Sequence, residues 1–283
     1  MESFPFFDTE GVVAHLRAAG CVYSEDEAAI LVAAAASPAE LDAMVARRVS
    51  GIPLEHVVGW AQFHGLRIAV APGVFVPRLR TEFLVSEALG ALRSARAVPG
   101  SGSATIGPTV VDLCCGSGAV GAALAHEISG LAMHAADIDP AAAACAAKNL
   151  SSVNGHAYCG DLFAPLPERL RGTVEMIVAN APYVPTDEIA FMPPEARLHE
   201  PHTALNGGTD GLDIQRRIAA EAAEWLRPGG CVLVETSVRQ GPVSAEIMAA
   251  HGFTATISHS EELAGTVVTG RLRGRRHASL RHG

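Results

Sequence analysis

Residues 109–129 read TVVDLCCGSGAVGAALAHEIS. The first seven form a short apolar run, TVVDLCC, interrupted by one acid, Asp112, and closed by glycine, the pattern of a buried strand. GSGAVGAALAHEIS follows as a Gly-rich turn feeding a helix. Gly116, Gly118 and Gly121 fall on the G-x-G-x-x-G spacing, between strand and helix, where a nucleotide-binding turn requires them. Working outward, LAMHAADID reads as the next strand and PAAAACAAKNLS as a helix with Pro140 at its first position. AYCGDLF and VEMIVANAPY come next, then GLDIQRRIAAEAAEWL (helix), GGCVLVETS (strand) and VSAEIMAAHG (helix). Such alternation predicts an α/β fold with a parallel, doubly wound sheet. FTATISHS and TVVTGRL are joined by too short a loop for a parallel crossover, so the last strand should run antiparallel.

Upstream the pattern is different. TEGVVAHLRAAG, SEDEAAILVAAAA and SPAELDAMVARRVSG predict three helices, with Thr9, Ser24 and Ser37 as N-caps and glycines closing the first and third. In GIPLEHVVGWAQFHGLRIAVAPGVFVPRLRTE, apolar residues alternate or cluster around Gly65 and Pro72-Gly73, as in a hairpin. TEFLVSEALGALRSARA is helical, and PGSGSATIGP is a loop before the next strand. The expected organisation is a helical module over residues 1–58, a hairpin-and-helix linker over 59–103, a catalytic domain over 104–272 and a basic tail over 273–283.

With 283 residues, 49% hydrophobic and 18% charged, the chain is long and apolar enough for one large domain with a small accessory one. A formal net charge of -9 argues against general nucleic-acid binding. The exception is the run TGRLRGRRHASLRHG, with Arg271, Arg273, Arg275, Arg276 and Arg281, read as a solvated, disordered tail and at most a weak RNA contact. The six cysteines show no CxxC spacing and the twelve histidines no HExxH, so no metal site is expected. Adjacent Cys114 and Cys115 are expected on opposite faces of a strand. Small buried thiols suit a reducing, cytoplasmic setting. No signal peptide or apolar stretch of membrane-spanning length is read, since Glu2 and Asp8 flank a short Phe-rich stub.

Two features bear on the ligand. Asp137, 21 positions after Gly116, ends the second strand, where an acid can hold ribose hydroxyls. That alone fits NAD. Asp112 within the first strand and Asp161 in CGDLF lean instead toward S-adenosylmethionine (SAM), which offers a carboxylate, a ribose diol and an adenine. No His or Tyr-Lys arrangement for hydride transfer is found. The second feature is VEMIVANAPYVPT, residues 174–186. A buried strand here delivers an amide, Asn180, then φ-locked Pro182 and an aromatic, Tyr183, at the carboxyl edge where open α/β sheets bind ligands. An Asn oxygen and a backbone carbonyl can accept both N–H groups of a planar amide or amine, and Tyr183 can stack on it.

Taken together, VVDLCCGSGAVG, AADID, GDLF and NAPYVP resemble the HemK/PrmC-type glutamine methyltransferases, and the likeness extends from about residue 24 to 272. The resemblance implies a seven-stranded, Rossmann-like class I SAM-dependent methyltransferase sheet with a small N-terminal helical domain. It implies methylation of the glutamine amide in the Gly-Gly-Gln motif of peptide-chain release factors, with another amine acceptor on a nucleic-acid base or metabolite as the alternative. Carried over residue by residue, Cys114, Cys115, Gly116, Ser117 and Gly118 would wrap the methionine end of SAM. Asp137 would take the ribose, Asp161 and Leu162 would lie beside the adenine, and Asn180, Ala181, Pro182 and Tyr183 would form the amide site, with Asn180 also touching the cofactor. The family signature is Asn-Pro-Pro-Tyr, so Ala181 is a departure that keeps the carbonyl but loses rigidity. VPRLRTE keeps Arg78, Thr81 and Glu82 of the family's Arg-Pro-Glu/Asp-Thr-Glu pattern, and DLCCGSG carries a double cysteine where small residues are usual. The helical module reads about 20 residues shorter than the family's, and these departures together suggest a divergent paralogue.

Overall fold

The computed structural model describes residues 9–96 and 107–273. The Phe-rich stub, most of the Gly/Ser/Pro loop and residues 274–283 of the basic tail lie outside the described residues. The chain opens with α1 (Thr9–Ala18), α2 (Ser24–Ala34), α3 (Pro38–Val49) and the short α4 (Leu54–Val58). These pack around Leu16, Ala28, Leu31, Leu41 and Val57, a core of their own. Ser37 caps α3 as expected, its Oγ accepting from the Glu40 N–H at 3.2 Å, while Glu40 reaches back to the Ala36 N–H at 2.7 Å. Ser24 does not cap. It lies inside α2, and its hydroxyl donates to the Cys21 carbonyl at 2.7 Å, leaving Tyr23 at the cap position.

A hairpin follows, β1 (Trp60–Phe63) and β2 (Leu66–Ala69), turned by His64 and Gly65, both at positive φ. Then come α5 (Glu82–Arg96), β3 (Thr109–Leu113), α6 (Ala119–Glu127), β4 (Ala132–Asp137), α7 (Pro140–Leu150), β5 (His156–Cys159) and β6 (Val174–Ala179). Short α8 (Pro194–His199) and α9 (His202–Leu205) lead to α10 (Asp213–Trp225), β7 (Leu226–Thr236), α11 (Gly241–Ala250), β8 (Phe253–Ser260) and β9 (Gly265–Leu272). The strands form one seven-stranded sheet in the order β5-β4-β3-β6-β7-β9-β8. Its first four pairings are parallel, and β9 is antiparallel to both neighbours, as the short loop dictates.

Side chains alternate across this sheet with period two. Val110, Met176, Val178 and Leu233 face α5 and α6 in one core layer, while Val111, Ile177, Val232 and Val234 face α10 and α11 in the other. Both faces are therefore covered, which is why the strands read as continuous apolar runs. The order reverses between β4-β3 and β6-β7, so the chain leaves the carboxyl ends of β3 and β6 in opposite directions and opens a crevice there. One expectation holds only in part at that edge. β3 ends at Leu113 and Cys114 takes a left-handed φ of 54°, so the two cysteines lie in the turn and not in the strand, yet they pack on opposite faces of the sheet, Cys115 in the α5/α6 layer and Cys114 against the α10/α11 layer. All six cysteines are free thiols.

Candidate active site

The crevice holds a cavity of about 580 Å³ lined by residues from the turn after β3, the ends of β4 and β6, the segment before α5 and the segment around α9. The glycine turn is its floor. Gly116 and Gly118 have φ of 53° and 76°, a left-handed conformation that costs a side-chain-bearing residue about 1 kcal/mol or more. A Cβ on Gly118 would meet Ala146 of α7 at 2.9 Å, so this glycine lets helix and turn touch. A Cβ on Gly116 would meet only Phe75, at 3.9 Å, leaving the backbone open to a ligand. Asp137 braces the turn from the neighbouring strand: one carboxylate oxygen accepts from the Gly116 N–H at 2.8 Å, the other from the Asp139 N–H at 2.9 Å. Its partial burial raises its pKa above the ordinary Asp range. Asp112, buried beneath the turn, accepts from the Gly121 N–H at 3.0 Å, and desolvation lifts it to about 7. Burial also pushes the Cys114 and Cys115 thiols far up, so neither is a thiolate at neutral pH.

At the far wall, Asp161 accepts from Arg217 of α10 at 2.7 Å in a half-exposed pair, and Leu162, buried beside it, has a φ of 47°. All the expected cofactor-side residues, Cys114, Cys115, Gly116, Ser117, Asp137, Asp161 and Leu162, border this cavity, with Gly118 held just behind by α7.

The opposite end is built by β6. Asn180, Ala181, Pro182 and Tyr183 all line the same cavity. Asn180 Nδ2 donates to the buried Thr81 hydroxyl at 3.2 Å. Neither Asn180 Oδ1 nor the Ala181 carbonyl accepts a hydrogen bond from another described residue. The Tyr183 hydroxyl donates to Glu235 at 3.2 Å, and its pKa is raised by burial and by that carboxylate's charge. The motif's backbone is held from outside: Val184 pairs with Asn206, the Gly207 N–H donates to the Val184 carbonyl at 2.9 Å, and Gln240 Nε2 donates to the Tyr183 carbonyl at 2.9 Å.

Several site residues are absent from the sequence-based set. Glu200 is buried in the cavity wall, ion-paired with Arg78, and desolvation raises its pKa. Glu235, on β7, gathers Arg80 at 3.3 Å as well as Tyr183. A signal for Glu235 existed: it follows Leu233 by two positions and so falls in phase with the α5-facing layer. Nothing local marks Thr81 and Asn180 as partners, because they are 99 positions apart.

A doubly wound sheet with a glycine turn at its switch point, an acid ending the second strand and a seventh antiparallel strand defines the class: a SAM-dependent methyltransferase. The comparisons agree. Residues 103–206 match the family described as "Methyltransferase small domain". Release factor glutamine methyltransferase of Streptomyces coelicolor is 40% identical, over 70% of this chain and 67% of that protein. The enzyme of the same name from Gloeobacter violaceus is 38% identical over 74% and 71%. A methyltransferase structure from Pyrococcus furiosus superposes with a TM-score of 0.54 at 17% identity, covering 81% of this chain and 99% of that one, and so shares the fold. The chain belongs to the release factor glutamine methyltransferase family.

The cavity fits the cofactor. Gly116 leaves room for close backbone approach, the N-terminus of α6 points at the turn, and Asp137 stands at the end of β4. When bound, SAM supplies an electrophilic methyl group carried on a sulfonium.

Proposed function

We propose that the enzyme transfers a methyl group to the side-chain amide nitrogen of a protein glutamine, the glutamine of the Gly-Gly-Gln motif in peptide-chain release factors. The observation that carries this reading is the pair of acceptors, Asn180 Oδ1 and the Ala181 carbonyl, which have no partner among the described residues and share the cavity of the glycine turn. Two acceptors side by side suit the two N–H groups of a primary amide. They turn its nitrogen toward the turn, where Cys114–Gly118 hold the methionine end of the cofactor, Asp137 the ribose, and Asp161 and Leu162 the adenine. Alignment is the main need, because the amide lone pair is delocalised and a poor nucleophile. Tyr183 closes one face of the amide and keeps water away. With the cofactor bound, the N–C bond would form as its S–C bond broke, and the amide nitrogen would then release a proton to solvent. A strong base is unnecessary, since that proton becomes acidic only as the methyl arrives. Substitution of proline by Ala181 leaves the acceptor carbonyl intact.

The release factor docks, in this reading, against the module of residues 1–58, whose described helices share a core of their own, with residues 59–103 linking it to the catalytic domain of 104–272. Six free thiols suit a cytoplasmic enzyme. A protein rather than nucleic-acid substrate accords with the net charge of -9. The test is mass spectrometry of a bacterial release factor after incubation with the enzyme and SAM. A gain of one methyl on the Gly-Gly-Gln glutamine is expected, lost in Asn180→Ala while SAM binding persists. No gain, with SAM bound, would move the acceptor to another amide or amine.

A further inference from the structure

Helix α7 carries a stripe of residues, Ala142, Cys145, Ala146 and Asn149, spaced three and four apart or less and so on one face. Ala142 and Cys145 pack with Ala61, Val70, Val74 and Val76 of the hairpin and the segment after it. Ala146 lies against the glycine turn, 2.9 Å from a Cβ built on Gly118. Asn149 stands where these two contacts meet, half-buried, and its amide serves both sides. Its Oδ1 accepts from the Ala69 N–H at 2.9 Å, and its Nδ2 donates to the Ala69 carbonyl at 2.8 Å. The side chain thus pairs with the outer edge of β2 as a neighbouring strand would. The same Nδ2 donates to the Ser117 carbonyl at 2.8 Å. One N–H and two carbonyls therefore fix which way the amide faces. The peptide joining Ser117 to Gly118 is held at its other end too, where the Gly118 N–H donates to the Cys115 carbonyl at 2.7 Å. Ser117 borders the cavity, and Asn149 stands behind it.

We propose that Asn149 is a positioning residue for the cofactor: it anchors the Ser117 carbonyl to α7 and to the β1–β2 hairpin, and so holds the glycine turn in the shape that binds SAM. Each peptide unit is a dipole, and a SAM whose carboxylate lies at the N-terminus of α6 needs N–H groups there, not carbonyl oxygens. Gly116 and Gly118, both at left-handed φ, leave the turn's backbone freer to rotate than side-chain-bearing residues would. The Ser117 carbonyl needs a donor that draws it away from the cavity, and Asn149 is that donor. A turn already in its bound shape loses little entropy when the ligand arrives, so the clamp shows as affinity. The hairpin, although outside the cavity wall, thereby becomes part of the cofactor site. No local motif marks Asn149, which lies 80 positions from Ala69 and 32 from Ser117.

The test reads SAM binding and the wild-type backbone, so it stands whatever the methyl acceptor is. In calorimetry on folded protein well below its unfolding midpoint, Asn149→Ala should bind SAM about tenfold more weakly or worse, the scale of one or two lost hydrogen bonds. Asn149→Asp keeps the shape and the acceptor for Ala69 but sets a carboxylate oxygen against two carbonyls, and should bind at least as weakly. Gly229→Ala, a backbone change remote from the turn, should keep wild-type affinity; a like loss there would tie affinity to stability in general and overturn the proposal. Affinity within about twofold of wild type in both Asn149 variants overturns it too, whatever happens to their stability. Linkage supplies a measurement that needs no variant: if the clamp tightens SAM, SAM must tighten the clamp by the same factor. Followed by NMR in the wild-type protein, SAM should slow hydrogen exchange of the Ala69 amide, which is bonded to Asn149, about fivefold more than that of Val70. The Val70 N–H donates instead to the Gly59 carbonyl at 3.0 Å. Equal slowing of the two amides, or none, overturns the coupling even if neither Asn149 variant folds.

Discussion

At the scale of single residues, the site depends on positions where no side chain is tolerated. Gly211 is the clearest case. Its φ is 79°, and a Cβ there would lie 2.2 Å from the Tyr183 carbonyl oxygen and 2.4 Å from Gln240 Nε2. Gly229 has nearly the same φ, 78°, with nothing within 4 Å of its virtual Cβ. Gly229→Ala should therefore cost only the backbone penalty, about 1 kcal/mol. Gly211→Ala adds a clash with rigid backbone and should cost roughly 2–4 kcal/mol in all. It should also lower methyl transfer at temperatures where the protein is still folded, because relief of the clash moves Tyr183. Denaturant unfolding of the two variants, with activity measured well below their midpoints, checks this. Equal losses would mean that the Tyr183 backbone is freer than its hydrogen bonds imply. A reader of the sequence sees Gly211 in NGGTDG as a turn glycine; what it guards, 28 positions upstream, is set by the tertiary fold.

Among elements, the motif after β6 is held less by its own strand than by segments arriving later in the chain. The stretch 206–211 runs beside residues 182–186, with the Thr186 N–H donating to the Gly208 carbonyl at 2.9 Å. Gln240, at the start of α11, ties both together, its Nε2 donating to the carbonyls of Tyr183 and Asp210 at 2.9 Å each while its Oε1 accepts from Ser237 at 2.6 Å. Gln240→Ala would strand two carbonyls and cost about 1–3 kcal/mol. Gln240→Glu should be worse above neutral pH, where a carboxylate faces those two oxygens, and should recover as acid protonates it. Thermal shifts at two pH values separate the outcomes; equal shifts would show that water replaces the lost donor. Here lies the boundary of what the sequence discloses. Strands, helices, the glycine turn and the Asn-Ala-Pro-Tyr ending are legible because periodicity and turn chemistry are local. Gln240, Glu200, Thr81 and the partners of Glu235 are not, because the groups these residues bind in other segments lie between 30 and 155 positions away. The strand reads past Leu113 through Cys114 and Cys115 for a related reason: an apolar residue after a strand looks like more strand, and only the packing of the turn onto Asp137 ends it.

For the molecule as a whole, the shifted groups make stability depend on pH in two opposed ways. Asp112 is lifted by desolvation from 3.8 to about 7. Between those values the native state keeps a proton that the unfolded chain has released, so this group's contribution to stability falls as pH rises. A shift of that size amounts to about 4 kcal/mol at pH above 7. His134, buried against His156 and Tyr158, is lowered by desolvation from 6.5 to about 4. There the unfolded chain binds the proton first, so stability is lost as pH falls through the same interval, by about 3 kcal/mol. From pH 4 to 6.5 the two nearly cancel. Asp112→Asn keeps the shape and can still accept from the Gly121 N–H, so it should raise stability at pH 8 and unmask the histidine. Relative to wild type, its advantage should shrink steadily from pH 7 to pH 4. His134→Gln should show the reverse slope, gaining relative to wild type as the solution is acidified from pH 6.5. Urea unfolding at half-unit pH intervals reads both differences, and groups common to all three proteins, such as Glu200 and Glu235, drop out of the comparison. Profiles parallel to wild type would mean that solvent reaches Asp112 beneath the turn. In that case the glycine loop over the cavity would be looser than its hydrogen bonds to Asp112 and Asp137 imply.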